Sequence, residues 1–492
     1  MISSRVRLWA ALVLAAALQA ALWFLPPGVG LRARMLEPVS DAQEYHALSV
    51  SLAERGAFER ETMGAMRPEF FRTPGYPLLL AGLRRVFGSS LAAILGLQLL
   101  LSLLTVLVTF RLAREAGLSD RASSLAALLV AASPNLAFHA TKVVTETTFT
   151  LLLAICLLLL ARYRSMPQGR SRACVLALTG AGITAGLLAL VRPIALYWPL
   201  VIAAWVGWRC LRARPRFAWL ALVPVLAAGL TVAPWFARNH RLSGRVMFST
   251  AAERNLFLYN AATVIASEQG ITVAEARDLM QAEARQRFGE LDSTDETGYW
   301  ARLGVIGRER YLGRPTRAAL VQVAGFTANF LVPIGASPLL SHAGTTGSDE
   351  PHVMQRALGL AARGRVGEAW QVVRRGRLEQ VGAFFWIWFG LAALHVALLL
   401  ALAAVGLRAG GAGWLVPAVL YFTLLTGPVG EARFRAPAEP ALAVIAAVGL
   451  ARTHRRRLTQ APMDAKEEEV VERSSGLSST RIVSPDSPIG TA

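Results

Sequence analysis

The sequence contains little charge and little cysteine, and both shortages exclude whole classes of protein. Only 17% of its 492 residues are charged, 54% are hydrophobic and the mean hydropathy is +0.44, which is too apolar for a soluble protein of this length. The three cysteines, Cys156, Cys174 and Cys210, have no paired spacing. This spacing argues against a disulfide framework and against a zinc site. We therefore predict an integral membrane protein.

Lysine is almost missing, because Lys142 and Lys466 are the only two, and the net charge of +19 comes from arginine. The arginines are not gathered into one basic domain with interleaved aromatic residues, so the charge does not indicate a nucleic-acid partner. They form clusters in short connections, at residues 111–121, 162–172, 209–216 and 452–457. The positive-inside rule places these clusters in the cytoplasm. Arginine in place of lysine is typical of a GC-rich bacterial genome, so we expect a bacterial plasma membrane.

Apolar runs recur along the chain, each about twenty residues long, which is the length that an α-helix needs to cross the hydrocarbon core. Ten such runs lie near residues 6–25, 83–110, 122–138, 144–162, 174–191, 194–210, 217–236, 381–405, 413–428 and 438–451. No repeat of fixed period accompanies them. We predict an all-α polytopic membrane protein with about ten transmembrane helices.

The polar part of the chain lies in two long connections, residues 26–76 and 237–380, both on the side opposite to the arginine clusters. Helical spacing of apolar residues in both predicts amphipathic helices at the membrane interface. Residues 316–335 are apolar as well, but one more crossing would move the last arginine cluster outside, so we predict an interfacial helix there. The transmembrane domain thus covers residues 1–455. Residues 461–492 are rich in Glu, Ser and Pro, which predicts a disordered cytoplasmic tail.

Ionisable residues at the outer mouths of membrane helices are candidates for function, because charge is costly there unless it is paired or hydrated. They are Asp41, Glu44, Arg67, Arg72, Lys142, Glu146, Arg192, Arg238, Glu431, Arg433 and Arg435. Several have a simpler interpretation. Asp41 could cap a helix, Lys142 and Glu146 could form an i,i+4 ion pair, and Arg192 and Arg238 could anchor helix ends.

The segment RFRAP favours a phosphate site, because Arg433 and Arg435 precede a helix that starts with proline. The amino end of that helix adds its own positive potential. An arginine fork also matches two phosphate oxygens at once. An interfacial anchor remains the alternative interpretation of these two arginines.

Six short motifs follow one another in a fixed order. They are D-x-x-E-Y-H-x-L from Asp41, R-T-P-G-Y-P-L-L-L-A from Arg72, T-E-T-T-F around Glu146, R-P at Arg192, P-W-x-x-R-N from Pro234 and R-F-R-x-P from Arg433. This series resembles the polytopic glycosyltransferases of the GT-C superfamily, in the family 39-like branch of protein O-mannosyltransferases and aminoarabinose transferases. The resemblance covers most of residues 1–455. The chain departs from the protein mannosyltransferases at Asp41, which is followed by Ala42 instead of Glu.

The resemblance implies transfer of a sugar, with inversion, from a polyprenyl-phosphate donor to an acceptor on the extracytoplasmic face. It implies that Asp41 acts as the base, and it matches Glu146 to a second acidic site residue. A carboxylate suits the base role because the attacking hydroxyl must lose its proton. Glu44 is the acidic partner of Asp41 along the chain, and we include it among the catalytic candidates.

The donor phosphate needs cations, because the leaving phosphate gains charge in the transition state. The resemblance matches Arg72 and Arg433 to basic site residues. Their position at the outer mouths adds Arg435, Lys142 and Arg238 to the predicted phosphate-binding set.

No metal site is predicted, although a divalent cation bridging Asp41, Glu44 or Glu146 to the phosphate stays open. The expected partners are the polyprenyl-phosphate sugar, a glycan, lipid or protein acceptor, and membrane lipids. One alternative is a lipid-linked glycan polymerase or ligase, which would remain active without the Asp41 carboxylate. A second alternative is a non-enzymatic lipid or sugar transporter, which should show internal repeats and charges near mid-membrane.

Overall fold

The computed structural model describes residues 3–24, 35, 36, 40–62, 64–167, 171–334, 360, 364–377 and 383–451. Within these residues the regular secondary structure is helical except for one short hairpin. Its strands, β1 (Glu59–Thr62) and β2 (Ala65–Pro68), pair antiparallel with Glu59 opposite Pro68. The predicted tail at residues 461–492 lies outside the described residues.

The described residues of the first half of the chain include ten α-helices. In chain order they are α1 (Ser4–Phe24), α2 (Ser40–Arg55), α3 (Gly75–Phe87), α4 (Leu91–Glu115), α5 (Asp120–Ala131), α6 (Pro134–Ala140), α7 (Glu146–Ser165), α8 (Arg172–Val191), α9 (Trp198–Ala213) and α10 (Leu222–Ser243). Four of them are capped by a serine that directly precedes the helix, and its hydroxyl accepts a hydrogen bond from a backbone N–H of the first turn. These serines are Ser90, Ser119, Ser133 and Ser171.

The described residues of the second half form further helices, and the early ones share a small apolar core. In chain order the helices are α11 (Ala251–Asn255), α12 (Ala262–Gln269), α13 (Val273–Phe288), α14 (Glu296–Leu312), α15 (Pro315–Leu331), α16 (Val366–Arg377), α17 (Ala383–Ala409), α18 (Val416–Leu424) and α19 (Ala432–Arg435). A π-helical turn, Leu256–Ala261, joins α11 to α12. Phe257, Met280 and Leu303 bring this turn, α13 and α14 together in a buried apolar cluster.

Among the described residues, eight helical segments are long and apolar enough to cross a membrane. They are Ser4–Phe24, Leu91–Glu115, Glu146–Ser165, Arg172–Val191, Pro193–Ala213, Pro215–Ser243, Trp386–Ala409 and Ala432–Ala451. Each coincides with a predicted run, and α15, which covers most of residues 316–335, is not among them. The prediction of an all-α polytopic membrane protein is therefore confirmed.

The two other predicted runs differ from a regular span for local reasons. Residues 122–138 form α5 and α6, which are bent by 55° and make a ninth span if they count as one. The bend falls at Ser133 and Pro134, because proline cannot continue the hydrogen bonds of α5 and Ser133 caps a new helix. The run at 413–428 forms only the shorter helix Gly413–Leu424. The described residues thus give eight or nine spans against about ten predicted.

Close contact between α17 and the last span, Ala432–Ala451, depends on two glycines. A Cβ atom at Gly406 would overlap the carbonyl oxygen of Ile445, and one at Gly449 would lie 2.7 Å from the backbone nitrogen of Gly406. Small residues of this kind let membrane helices bring their backbones together. The packing of these two spans therefore leaves no room for a side chain at either position.

We expect Gly406→Ala to lower the midpoint of thermal unfolding by several degrees, because overpacking costs about 1–3 kcal/mol. Gly390→Ala is the matched control, since Gly390 lies in the same helix and a Cβ there would meet nothing within 4 Å. Melting curves of the detergent-purified variants measure the difference. A Gly406→Ala variant that melts like the wild type would show that the two spans are farther apart.

Candidate functional site

Eight charged side chains form one continuous row of ion pairs in which carboxylates and guanidinium groups alternate. In order they are Glu69, Arg60, Glu44, Arg72, Asp41, Arg433, Glu146 and Arg192. Nitrogen and oxygen of each successive pair lie within 3.2 Å of each other. We call these residues the site cluster. Its four positive and four negative charges cancel.

Helix ends hold most of the site cluster in place. Asp41 lies in the first turn of α2, and Glu146 is the first residue of α7. Arg192 follows the last residue of α8, and Arg433 lies in α19 at the start of the last span. Because α7 begins where α8 ends, the site cluster lies at one end of the helical bundle.

Asp41 is held by two arginines, one on each carboxylate oxygen. Arg72 Nη2 lies 2.6 Å from Oδ1, and Arg433 Nη2 lies 2.9 Å from Oδ2. Burial by itself would raise the pKa of Asp41, but Arg433 and Arg72 together outweigh it and hold this pKa well below its usual range. In this arrangement Asp41 is a poor proton acceptor.

Arg72 is held by a second carboxylate, that of Glu44, and by two aromatic rings. Its Nε donates to Glu44 Oε2 at 2.6 Å, and its carbon Cζ lies 5.0 Å from the ring centre of Tyr45 and 4.4 Å from that of Phe71. Such packing reduces the rotamer freedom that a long side chain would lose on binding a ligand. The Arg72 side chain is thus held in one orientation.

Glu146 is the most deeply buried acid of the site cluster, because the whole residue is 0% exposed and the next, Glu69, is 2% exposed. Its Oε1 accepts hydrogen bonds from Arg433 Nε at 2.8 Å and from Arg192 Nη1 at 3.2 Å. A buried carboxylate is tolerated only when it is paired in this way. Glu146 therefore joins Arg433 to Arg192 at the end of the site cluster that is opposite to Glu69.

At the outer end, Glu69 determines the backbone course that leads to Arg72. Its Oε1 accepts the backbone N–H groups of Phe71 and Arg72 at 2.7 and 3.0 Å, and its Oε2 accepts from Arg60 Nε at 2.8 Å. The sequence analysis did not find Arg60 or Glu69. Both lie in a polar connection, where charged residues usually face solvent, so the sequence offers no signal for them.

Three predicted phosphate-binding residues have other contacts. Arg435 is buried, pairs with Glu439, and donates to the carbonyl oxygens of residues 329, 332 and 333. Arg238 donates to the carbonyl oxygens of residues 58 and 69. Lys142 is buried, with its Nζ 5.3 Å from the ring centre of Phe138. Arg435 and Arg238 thus hold backbone segments together instead of facing Asp41.

The carboxylates of the site cluster do not fit a divalent cation. In the described part of the chain, no group of three or more His, Cys, Asp or Glu side chains is arranged to hold a metal. Both oxygens of Asp41 and both oxygens of Glu44 already accept from arginine. A cation would have to displace these guanidinium groups, and we assign no step to one.

Glu296, at the start of α14, lies close enough to Glu69 and Arg60 of the site cluster to interact with their charges. Its Oε1 accepts from the Thr250 hydroxyl at 3.0 Å. Burial, and after it the charge of Glu69, raise the pKa of Glu296 from 4.5 to about 7, although Arg60 and Arg254 oppose the shift. Glu296 therefore binds its proton more tightly in the folded protein than in the unfolded chain.

This raised pKa predicts a stability that depends on pH. The folded state binds the proton more tightly, so the contribution is fully present below the unfolded pKa of 4.5 and is lost as pH rises through about 7. We expect the thermal midpoint to fall between about pH 5 and pH 8, and Glu296→Gln to remove much of that slope. Glu309→Gln is the control, because Arg287 lowers the pKa of Glu309 below this window. Equal slopes for wild type and Glu296→Gln would contradict the assignment.

Comparison with known proteins gives one family match. The model of the family described as dolichyl-phosphate-mannose-protein mannosyltransferase matches residues 71–235. This stretch includes Arg72, Glu146 and Arg192 of the site cluster, whereas Asp41 and Arg433 lie outside it. Among curated proteins, none matches the chain.

Several solved structures align with most of the chain at low identity, and two of them are described here. The archaeal oligosaccharyltransferase AglB from Archaeoglobus fulgidus, in complex with an inhibitory peptide and a dolichol-phosphate, is 16% identical, with 93% of this chain and 52% of that chain covered and a TM-score of 0.46. ArnT from Cupriavidus metallidurans, bound to undecaprenyl phosphate, is 14% identical, with 89% and 77% covered and a TM-score of 0.39. The chain spans about half the length of the oligosaccharyltransferase.

The family match falls on the motifs around Arg72, Glu146 and Arg192, which are three of those that carried the resemblance. The architecture is that of an all-α polytopic membrane protein. The resemblance is thereby confirmed for residues 71–235: the chain is a polytopic membrane protein, and these residues are similar to the family of dolichyl-phosphate-mannose-protein mannosyltransferases.

Proposed function

We propose that this protein moves a sugar from a polyprenyl-phosphate donor to an acceptor on the extracytoplasmic face of a bacterial plasma membrane, with inversion. The observation that supports this proposal most directly is the position of Asp41 between two arginines, Arg72 and Arg433, at the end of the bundle. The family match, whose description names a dolichyl-phosphate sugar, supports this class of donor. The arginine clusters near the opposite helix ends support the side of the membrane.

The donor phosphate would bind where Asp41 is now held. Arg72 and Arg433 each present a planar fork of N–H groups, which suits two phosphate oxygens. The site cluster is neutral, so one phosphodiester charge leaves it with an excess negative charge. The phosphate therefore competes with Asp41 for the two guanidinium groups and displaces its carboxylate from them.

Displacement would turn Asp41 into a base. Without Arg72 and Arg433 on its oxygens, the pKa of Asp41 rises towards the ordinary value, and burial raises it further. Asp41 then takes the proton of the acceptor hydroxyl while the hydroxyl oxygen bonds to the anomeric carbon. The bond from that carbon to the phosphate oxygen breaks, and Arg72 and Arg433 hold the charge that the leaving polyprenyl phosphate gains.

The other members of the site cluster would keep the arginines in place during this exchange. Glu146, which also accepts a hydrogen bond from Arg192, holds Arg433, and Glu44 holds Arg72. Helix α2 presents Asp41 from the connection between the first and second spans. We place this helix at headgroup depth, where the phosphate of a lipid carrier lies.

A transfer assay tests this function. Purified protein is incubated with a panel of radiolabelled polyprenyl-phosphate sugars and with membrane extract as acceptor. We expect transfer by wild type, and a loss of about tenfold or more in Glu146→Gln, because a hydrogen bond to a charged group contributes about 1.5–3 kcal/mol.

Glu115→Gln is the matched control, since Glu115 pairs with Arg162 at the other end of α7 and should not affect turnover. A protein that accepts only polyprenyl-diphosphate glycans would contradict the proposal and favour a lipid-linked glycan polymerase or ligase.

A further inference from the structure

A small polar cavity lies next to Glu146, on α7, and is bounded also by α4, α5 and α6. Its volume is about 20 Å³, and its polar lining consists of Ser102, Thr105, His139, Glu146, Thr147 and Thr150. A cavity needs about 10–15 Å³ on this measure to hold a water molecule. The space is therefore large enough for one water.

Two buried polar atoms at this cavity lack protein partners. Glu146 Oε1 accepts from both Arg433 and Arg192, whereas Glu146 Oε2 has no hydrogen-bond partner within the described residues. The same holds for the hydroxyl of the next residue, Thr147. Glu146 is 0% exposed and Thr147 is 6% exposed. A buried carboxylate oxygen without a donor is costly, so the fold should supply one.

The threonine hydroxyls around the cavity can accept a hydrogen bond from such a donor. Thr105 donates its proton to the carbonyl oxygen of Leu101 at 2.8 Å, and Thr150 donates to that of Glu146 at 2.7 Å. Both hydroxyl oxygens therefore keep lone pairs that can accept a hydrogen bond. A water can donate one proton to Glu146 Oε2 and the other to one of these threonines, and it can accept the proton of Thr147.

We infer that this cavity is a water-binding site that hydrates the inner oxygen of Glu146. Apolar cavities of this size stay dry, but a cavity that offers two to four polar partners holds ordered water. The water completes the hydrogen bonds of the carboxylate on the side away from Arg433 and Arg192. We infer further that hydrated Glu146 keeps Arg433 in place when Asp41 is displaced, and this role of the water rests on the proposed function.

Radiolytic labelling of the full chain in H₂¹⁸O tests the site without any transfer assay. Hydroxyl radicals that form at a bound water label the side chains beside it. Val130 lines the cavity and is 4% exposed, and Leu153, 0% exposed in α7, is the buried reference. We expect ¹⁸O in Val130 and none in Leu153.

Variants then locate the water. Thr105→Leu fills the cavity and should abolish labelling of Val130, and Thr147→Val removes a donor without a change of shape and should reduce it. Thr109→Val is the control, since Thr109 lies one turn away in α4 and bonds to the carbonyl oxygen of Thr105. An unlabelled Val130 in the wild type, or labelling that persists in Thr105→Leu, would overturn the inference. Neither result depends on whether the protein transfers a sugar.

Discussion

Replacement of Asp41 by asparagine should reduce turnover by about 10²–10⁴-fold, the range that general base catalysis contributes. Asparagine has the shape of aspartate and can still accept a hydrogen bond from Arg72 or Arg433, but its amide cannot take the proton of the acceptor hydroxyl. The variant should therefore fold normally and fail at the chemical step.

The same variant should bind the donor at least as well as the wild type. Loss of one carboxylate leaves the site cluster with a net positive charge, and the phosphate no longer competes with Asp41 for the two arginines. We expect a lower KM for the donor together with the lower kcat. Steady-state kinetics over a range of donor concentrations separate the two effects. Asp120→Asn is the control, because Asp120 is an exposed acid that pairs with Arg114. Unchanged turnover in Asp41→Asn would eliminate Asp41 as the base.

Replacement of Arg433 by alanine should also lower turnover strongly. Its effect on donor binding should be opposite to that of Asp41→Asn, because binding becomes weaker. It removes a cation that stabilises the leaving phosphate, which we expect to lower kcat by about 10²–10³-fold. It also weakens binding of the ground-state phosphate, so KM for the donor should rise. Arg433 contacts both Asp41 and Glu146, and Glu146 would keep only Arg192, so the melting temperature should also fall.

Arg433→Lys separates charge from geometry. Lysine keeps the positive charge near Glu146 and should restore most of the thermal stability. It lacks the planar fork that holds two oxygens at once, so turnover should recover only in part. Thermal melts and kinetics on the same preparations give both readouts. If Arg433→Ala lowers stability while kcat and KM per folded molecule stay at wild-type values, Arg433 supports the fold and does not bind the phosphate.

Most of the fold could be predicted from hydropathy, because the length of an apolar run and the length of a membrane helix are tied by the thickness of the bilayer. Eight predicted runs became regular spans for this reason. The bend between α5 and α6 was not predicted, although Ser133 and Pro134 carry its local signal. The length of the helix Gly413–Leu424 was overestimated, because the apolar run continues past Leu424, where the helix ends.

The site was predicted only in part, because depth along a helix can be estimated from sequence whereas the direction of a side chain cannot. Asp41 and Arg433 are 392 positions apart and still form a hydrogen bond, and the ordered motifs indicated both. Position at a helix mouth also selected Arg435, whose guanidinium instead binds carbonyl oxygens at the end of α15. Arg192 was a candidate but was interpreted as an anchor. Its contact with Glu146 depends on how α7 and α8 pack.

The proposed exchange of Asp41 for phosphate can be observed directly in an experimental structure of the protein with a non-transferable polyprenyl-phosphate sugar analogue. We predict that phosphate oxygens contact both Arg72 and Arg433, and that Asp41 leaves the two guanidinium nitrogens that now lie 2.6 and 2.9 Å from its oxygens. Bound analogue with both of these ion pairs intact, or with its phosphate away from Arg72 and Arg433, would contradict the mechanism.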